Sequence, residues 1–185
     1  MIGSVFSIPV LLNLVGEEIT KDMLSTFSCV SEGVQLNEEV ESFVRGSAID
    51  FYNRKMSVTY LVNNENDRLA GIFTLTHKAI DIPATGLSSS QKKKIQRFAQ
   101  LDQEMDVFRA SAYLIAQFGK NYSVDNGMTI RGTELMECAM SVLHDVQEMV
   151  GGGIVYLECE EGNEKAHKCF IQDAVLLILT KDFPG

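Results

Sequence analysis

From Asn37 to Arg54 the apolar residues Val40, Phe43, Val44, Ala48 and Phe51 recur at three- and four-residue spacings. With Asn37 as cap and Glu38-Glu39 in the first turn, this spacing predicts an amphipathic helix. Ser57 to Val62 is β-branched and aromatic, and Leu69 to Thr76 alternates bulky and small residues. Between them Asn63-Asn64-Glu65-Asn66-Asp67 is turn chemistry, so the pair reads as an antiparallel hairpin. Ile82 to Glu104 is polar and reads as an exposed loop with a short helical stretch. Phe108 to Phe118 is an apolar run that fits a central strand, and a polar loop, Lys120 to Met128, follows it. A helix then opens at Gly132, with Leu135, Ala139, Val142, Leu143, Val146 and Met149 on one side, and stops at Gly151-Gly152-Gly153. A short strand Ile154–Leu157, a short helix Asn163–Phe170 and a last strand Val175–Leu179 complete the order. That order predicts one α/β domain over residues 1–185, built on a mixed sheet.

The apolar stretch Val5 to Val15 is interrupted by Ser7, Pro9 and Asn13 and has no basic residue before it. It is too short for a membrane span and lacks the flanks of a secretory signal, so the expectation is a soluble, cytoplasmic protein with no membrane partner. The net charge of −9 changes the picture further. Nucleic-acid binders draw affinity from a basic surplus, whereas an acidic chain suits a cationic substrate such as an amine. The one basic cluster, Lys92-Lys93-Lys94 with Arg97, reads as a solvated face. Four cysteines (Cys29, Cys138, Cys159, Cys169) form no CxxC pair, and His77, His144 and His167 form no HExxH, so no metal is expected and the thiols should be reduced and mostly buried.

The segment with chemical content is Ile130-Arg131-Gly132-Thr133-Glu134-Leu135, where a polar loop enters a helix. The first N–H groups of a helix lack internal partners and carry the positive end of its dipole, and glycine there lets a phosphate approach. Neither GxxxxGK[ST] nor GxGxxG is present, which argues against a P-loop or a Rossmann dinucleotide site.

In element order and local sequence the back half resembles the GNAT superfamily of N-acetyltransferases. Leu114-Ile115-Ala116-Gln117-Phe118 looks like the family's splayed central strand, and Gly127 to Gly132 stands where its pyrophosphate loop would. Val155 to Cys159 with Asn163 to Phe170 resembles the strand and helix that follow. Phe27-Ser28-Cys29, the helix to Tyr52, Val58 to Val62 and Gly71 to Leu75 resemble the branch that includes toxin–antitoxin acetyltransferases. The resemblance spans about Phe27 to Leu179. It implies a GNAT-like mixed central β-sheet flanked by helices, with a splayed central strand. It also implies acetyl-CoA as co-substrate, with the backbone of Gly127, Met128, Thr129, Ile130, Arg131, Gly132 and Thr133 holding pyrophosphate. Ile115, Ala116, Gln117 and Phe118 would line the pantetheine arm, and Asn163 and Phe170 would lie near the cofactor.

Two departures stand out. Against the family's Gln/Arg-x-x-Gly-x-Gly/Ala, this chain has Gly127, Ile130 and Gly132, so only the last small residue is kept and Ile130 adds bulk. Arg131 between them could donate to phosphate or simply be solvated. Where the family often has Phe-Tyr, Cys169-Phe170 stands here, and the tyrosine that protonates the leaving thiolate is missing. Loss of a general acid costs roughly 10²–10⁴ in rate. Glu158 and Glu160, at the end of the strand before Asn163, are the candidate bases for the incoming amine, against the plainer reading of exposed strand-end charges. Tyr113 and Tyr156 are the nearest tyrosines but read as packed strand residues, Asn163 also fits a helix N-cap, and His167 reads as exposed.

The leading expectation is an acetyl-CoA-dependent N-acetyltransferase acting on an unidentified small-molecule or peptide amine, with a homodimer common among such proteins. The first alternative is a toxin-like acetyltransferase of charged tRNA held in check by an antitoxin. The second is a catalytically inactive GNAT fold that serves as a binding or interaction module.

Overall fold

The computed structural model describes residues 2–31, 33–123, 130–158 and 174–178. It divides into two compact units, residues 1–76 with 116–142 and residues 77–115 with 143–185.

The first unit opens with β1 (Ile2–Ser7), which runs directly into α1 (Ile8–Ser25). The apolar run around Pro9 is therefore a strand-to-helix junction. Pro9 sits in the first turn of α1, where its missing N–H costs nothing. Gly16, at φ 83°, kinks the helix. After a small ribbon of β2 (Val30–Ser31) and β3 (Val34–Gln35) come α2 (Glu38–Gly46) and α3 (Ala48–Asn53). The Asn37 side chain caps α2 by accepting from the Val40 N–H at 2.9 Å. The single helix expected to Arg54 is thus two, parted at Ser47, because Gly46-Ser47 is a weak helical pair. The bonds Ser47 N–H to Phe43 O and Phe51 N–H to Ser47 O, both 2.9 Å, carry the chain across the break.

β4 (Val58–Asn64) and β5 (Leu69–Pro83) form the expected hairpin, in register from Val58↔Leu75 to Val62↔Gly71. Its turn is held by Asn64 Oδ1, which accepts from the Asn66 and Arg68 N–H groups at 2.9 and 3.1 Å. β1 pairs antiparallel with β4, with a register shift between Ile2 and Val5. A side chain on Gly3 would run into the carbonyl oxygen of Asn64 there. Ile8, Leu11, Leu24, Phe27, Val44, Leu61 and Ile72 form the core of this unit.

The second unit holds the far end of β5, α4 (Ser89–Ile95), β6 (Gln100–Asp102), most of β7 (Val107–Lys120), the C-terminal part of α5 (Gly132–Val150), β8 (Ile154–Glu158) and β9 (Ala174–Ile178). β5 continues seven residues past the expected Thr76, because the polar stretch after it buries Ile80 and Ile82 against Ile95, Phe108 and Ile154. The region expected as loop with a helical stretch is ordered by a capping box at Ser88 and Gln91 that starts α4. β6 pairs antiparallel with β7 at Gln100↔Arg109, and β8 pairs antiparallel with β9. β7 and β8 pair in parallel only over Tyr113↔Val155 to Ile115↔Leu157, while β7 runs on to Lys120. The hydrogen-bonded strand order is β1-β4-β5-β7-β8-β9, with β6 on β7.

Helix α5 buries Leu135, Ala139 and Leu143 as its spacing predicts, but Met149 is 77% exposed, since the last turn runs past the core. Gly151, at φ 77°, ends the helix, and a side chain at Gly153 would collide with the Phe98 ring. Among the described residues no helix is long and apolar enough to cross a membrane.

Candidate functional site

The start of α5 lies in the first unit, and its position begins with a glycine on the sheet. A Cβ on Gly71 would sit 3.1 Å from the Gly119 carbonyl oxygen of β7 and 3.1 Å from Leu135 of α5. The bare backbone at Gly71 therefore lets the first turn of α5 and the end of β7 come together, with Leu135 fully buried.

At the turn itself Ile130 is 7% exposed, so its side chain goes into the core. The bulk that the sequence sets against a phosphate loop is thus turned away from solvent. Gly132 is exposed, and among the described residues an added Cβ there would meet nothing within 4 Å. Glu134 accepts from the Arg131 backbone N–H at 2.9 Å and from its guanidinium at 3.2 Å. This is the reciprocal half of a capping box, with the N3 carboxylate reaching back to the N-cap amide. Arg131 is consequently paired with Glu134 rather than merely solvated. The pairing holds the Glu134 carboxyl below the usual carboxylate range and raises the Arg131 guanidinium.

The Arg131 side chain is 78% exposed, and an ion pair so open to water is weak enough for an incoming anion to displace. Arg131 also offsets the Glu134 charge, which would otherwise repel an anion at this end. The N–H groups of Gly132, Thr133 and Glu134 have no partner four residues back within the helix. The exposed N–H groups of this turn are where a diphosphate would be held.

The residues that follow β7, 121–123, are held by a side chain to which the sequence assigns no role. Asn121, 1% exposed, follows β7 and donates from Nδ2 to the Leu69 carbonyl at 2.8 Å. Its Oδ1 accepts from the Ser28 N–H at 2.8 Å and the Ser123 N–H at 3.1 Å. Its backbone N–H reaches the Ala70 carbonyl at 2.8 Å, and the Tyr122 N–H reaches the Ser28 carbonyl at 2.7 Å. The segment Phe27-Ser28-Cys29 is fixed in turn by α2. Glu41 accepts from the Cys29 N–H at 2.7 Å and pairs with Arg45 at 2.8 Å, while Arg45 Nε donates to the Phe27 carbonyl at 2.7 Å. Burial alone would raise the Glu41 carboxyl, but the Cys29 N–H and the Arg45 charge bring it below its ordinary value. Burial, reinforced by Glu41, pushes the Cys29 thiol up to about 11. In sequence, Asn121 looks like any loop asparagine beside Lys120, and Glu41 and Arg45 look like an ordinary i,i+4 surface pair.

On β7, Ile115 is buried, Ala116 exposed, and Gln117 and Phe118 half-buried. Gly127, Met128, Thr129, Glu160, Asn163, His167 and Phe170 lie outside the described residues, as does the side chain of Glu158, whose backbone pairs with Ala174. In the second unit the Tyr113 hydroxyl donates to the Gly151 carbonyl, so it latches the end of α5, and burial raises its phenol above the ordinary value. Tyr156 is half-buried, with the Lys78 ammonium 5.5 Å from its ring. Cys29 and Cys138 are buried free thiols. Among the described residues no three His, Cys, Asp or Glu side chains gather as a metal site would need.

The mixed sheet, the short parallel β7–β8 pairing and the glycine-opened α5 define a GNAT-like fold. No family model matches the chain, and no curated protein sequence does. Solved structures do. AtaT complexed with acetyl-methionyl-tRNAfMet superposes with a TM-score of 0.59 at 18% identity, over 84% of this chain and 86% of AtaT. A tyrosine-to-phenylalanine mutant of the AtaT toxin, bound to acetyl-CoA and the C-terminus of the antitoxin AtaR, gives 0.53 at 16% identity over 84% of each chain. A tyrosine-to-phenylalanine mutant of KacT gives 0.61 at 15% identity over 96% of this chain and 95% of KacT. At these identities the likeness is one of fold.

Proposed function

We propose that this chain is an acetyl-CoA-dependent N-acetyltransferase whose acceptor is the amino group of a charged tRNA. The observation that carries the reading is the likeness to AtaT in its acetyl-methionyl-tRNAfMet complex, which extends over 84% of this chain. The open, charge-balanced first turn of α5 supports it, because that turn suits the diphosphate of coenzyme A. Acetyl-CoA supplies the activated acetyl group as a thioester.

The uncharged amine of the aminoacyl group forms the new C–N bond, the C–S bond breaks with its electron pair on sulfur, and the amine proton passes to a base. Glu158 or Glu160 takes that proton, directly or through water. Phe170 offers none to the sulfur, so the leaving group departs as thiolate, which a thiol of reference pKa about 8.5 allows at reduced rate. Among this chain's own residues, Arg131 and the N–H groups of Gly132 and Thr133 bind and orient the diphosphate, and Asn121 fixes the end of β7 against Leu69 and Ser28. An antitoxin-type protein partner belongs to the same reading, on the pattern of AtaT with AtaR.

The test is transfer of radiolabelled acetyl from acetyl-CoA to a mixture of charged tRNAs, followed as label that precipitates with RNA and is released by base. Label on charged but not on deacylated tRNA supports the reading. Transfer only to small amines would return the acceptor to that class. Binding of acetyl-CoA with no transfer to any amine would make the chain an inactive GNAT-fold module, the second reading, which Phe170 favours.

A further inference from the structure

The net charge of −9 is an apparent obstacle to a polyanionic substrate. Its distribution is not uniform. The twenty residues from Ile82 to Leu101 contain no Asp or Glu, in a chain that has 25 of them, and four cations stand within residues 92–97. The structure holds these together on α4 and the turn after it. The Ser88–Gln91 capping box starts the helix and Ile95, 1% exposed, anchors its end. Lys93, Lys94 and Arg97 are exposed and Lys92 is half-buried.

None of the ion pairs among the described residues uses these lysines. Of the acids that flank the segment in sequence, Asp81 and Asp102 meet Arg109 at 3.6 and 3.4 Å, and Asp106 accepts from the Thr85 hydroxyl at 2.9 Å. Arg97 lies 5.6 Å from the Phe98 ring, which orients its guanidinium. The Debye length is about 8 Å at physiological ionic strength, so a bound phosphate senses the sign of its own neighbourhood rather than the charge of the whole chain.

We propose that Lys92, Lys93, Lys94 and Arg97 form a docking surface for the sugar–phosphate backbone of the tRNA substrate, a proposal that rests on the charged-tRNA reading above. Lysine ammoniums act there as mobile point charges that bind phosphate without reading sequence, which suits an enzyme whose specificity lies at the aminoacyl end. The favourable placement of three lysines at the C-terminal end of a helix dipole accounts for their tolerance in the fold but not for the absence of Asp and Glu from residues 82–101.

The experiment compares the full chain with K92Q/K93Q/K94Q and with K92R/K93R/K94R by tRNA anisotropy and by the acetyl-transfer assay. Each phosphate that is no longer neutralised should lower the slope of log affinity against log salt by about 0.7–0.9. The glutamine variant should therefore bind about 10–100-fold more weakly, with a slope smaller by about 2–3 between about 50 and 200 mM salt. Its acetyl-CoA affinity should be unchanged and its melting temperature lower only by the helix-dipole share of the three charges, a few degrees, and the arginine variant should bind tRNA like the wild type. Wild-type acetylation of charged tRNA together with unaltered tRNA affinity and slope in the glutamine variant would overturn the docking surface and leave the function standing. A wild type that neither binds nor acetylates charged tRNA would overturn both.

Discussion

Replacing Asn121 with alanine removes three side-chain hydrogen bonds from a position that is 1% exposed. The Leu69 carbonyl and the Ser28 N–H each lose a 2.8 Å partner, whereas the Ser123 N–H, at 3.1 Å and part-buried, can turn to water. The buried Ser28 N–H left without a partner costs about 1–3 kcal/mol and the bond lost at the Leu69 carbonyl about 0.5–1.5 kcal/mol, which together put the expected loss at about 2–4 kcal/mol. For a chain of this length that corresponds to a melting temperature lower by about 5–15 °C. Urea denaturation reads the loss directly, as a lower midpoint at constant slope. Asn121→Asp is the sharper companion, because it keeps both accepted bonds and sets a carboxylate against the Leu69 carbonyl; it should destabilise at least as much as alanine. A loss below about 0.5 kcal/mol for Asn121→Ala, the size expected of an ordinary surface change, would refute the assignment of Asn121 as the buried link between the end of β7, Leu69 and Ser28.

Three further outcomes follow from the site. Gly132→Trp places an indole on the open side of the first turn of α5, so acetyl-CoA affinity by calorimetry should fall at least about tenfold while the melting temperature holds; unchanged affinity would remove the diphosphate from this turn. Because the folded Glu41 carboxyl lies below its ordinary value, its stabilisation is present above the unfolded carboxylate pKa and is lost as pH falls through the folded one. Glu41→Gln should therefore be less stable than wild type near neutrality, with a gap that closes in acid, and parallel stability curves would contradict this. The Cys29 thiol, raised to about 11, should resist alkylation at pH about 8 in the folded protein, and its contribution to stability should disappear as pH rises between about 9 and 11.

Elements with a strong period are legible in the residues alone. The helix cap at Asn37, the hairpin about Asn64 and the opening of α5 at Gly132 each rest on a local signal, and the structure has all three. β1 and α1 are not legible in that way, since the junction at Ser7 to Pro9 cuts one apolar run into two elements of different period. The far half of β5 escapes for the opposite reason. His77, Lys78 and Asp81 look like loop, and only the tertiary burial of Ile80 and Ile82 makes the stretch a strand. At the site, the position of the helix terminus can be read from sequence, but the destination of each side chain cannot. Whether Ile130 blocks a phosphate or retreats into the core, and whether Arg131 is free or paired, depends on packing that no spacing encodes.

The register shift at the start of β1 bears on how this protein behaves in a crowded solution. β1 is the outer strand of its sheet, and Val5 on it is 37% exposed. A flat, regular strand in that place would offer an unpaired row of amides and carbonyls to any passing chain. The irregularity between Ile2 and Val5, made possible by the missing side chain at Gly3, twists the row out of line and makes it a poor template for a further strand. A substitution at Gly3 is therefore expected to show itself as aggregation during expression.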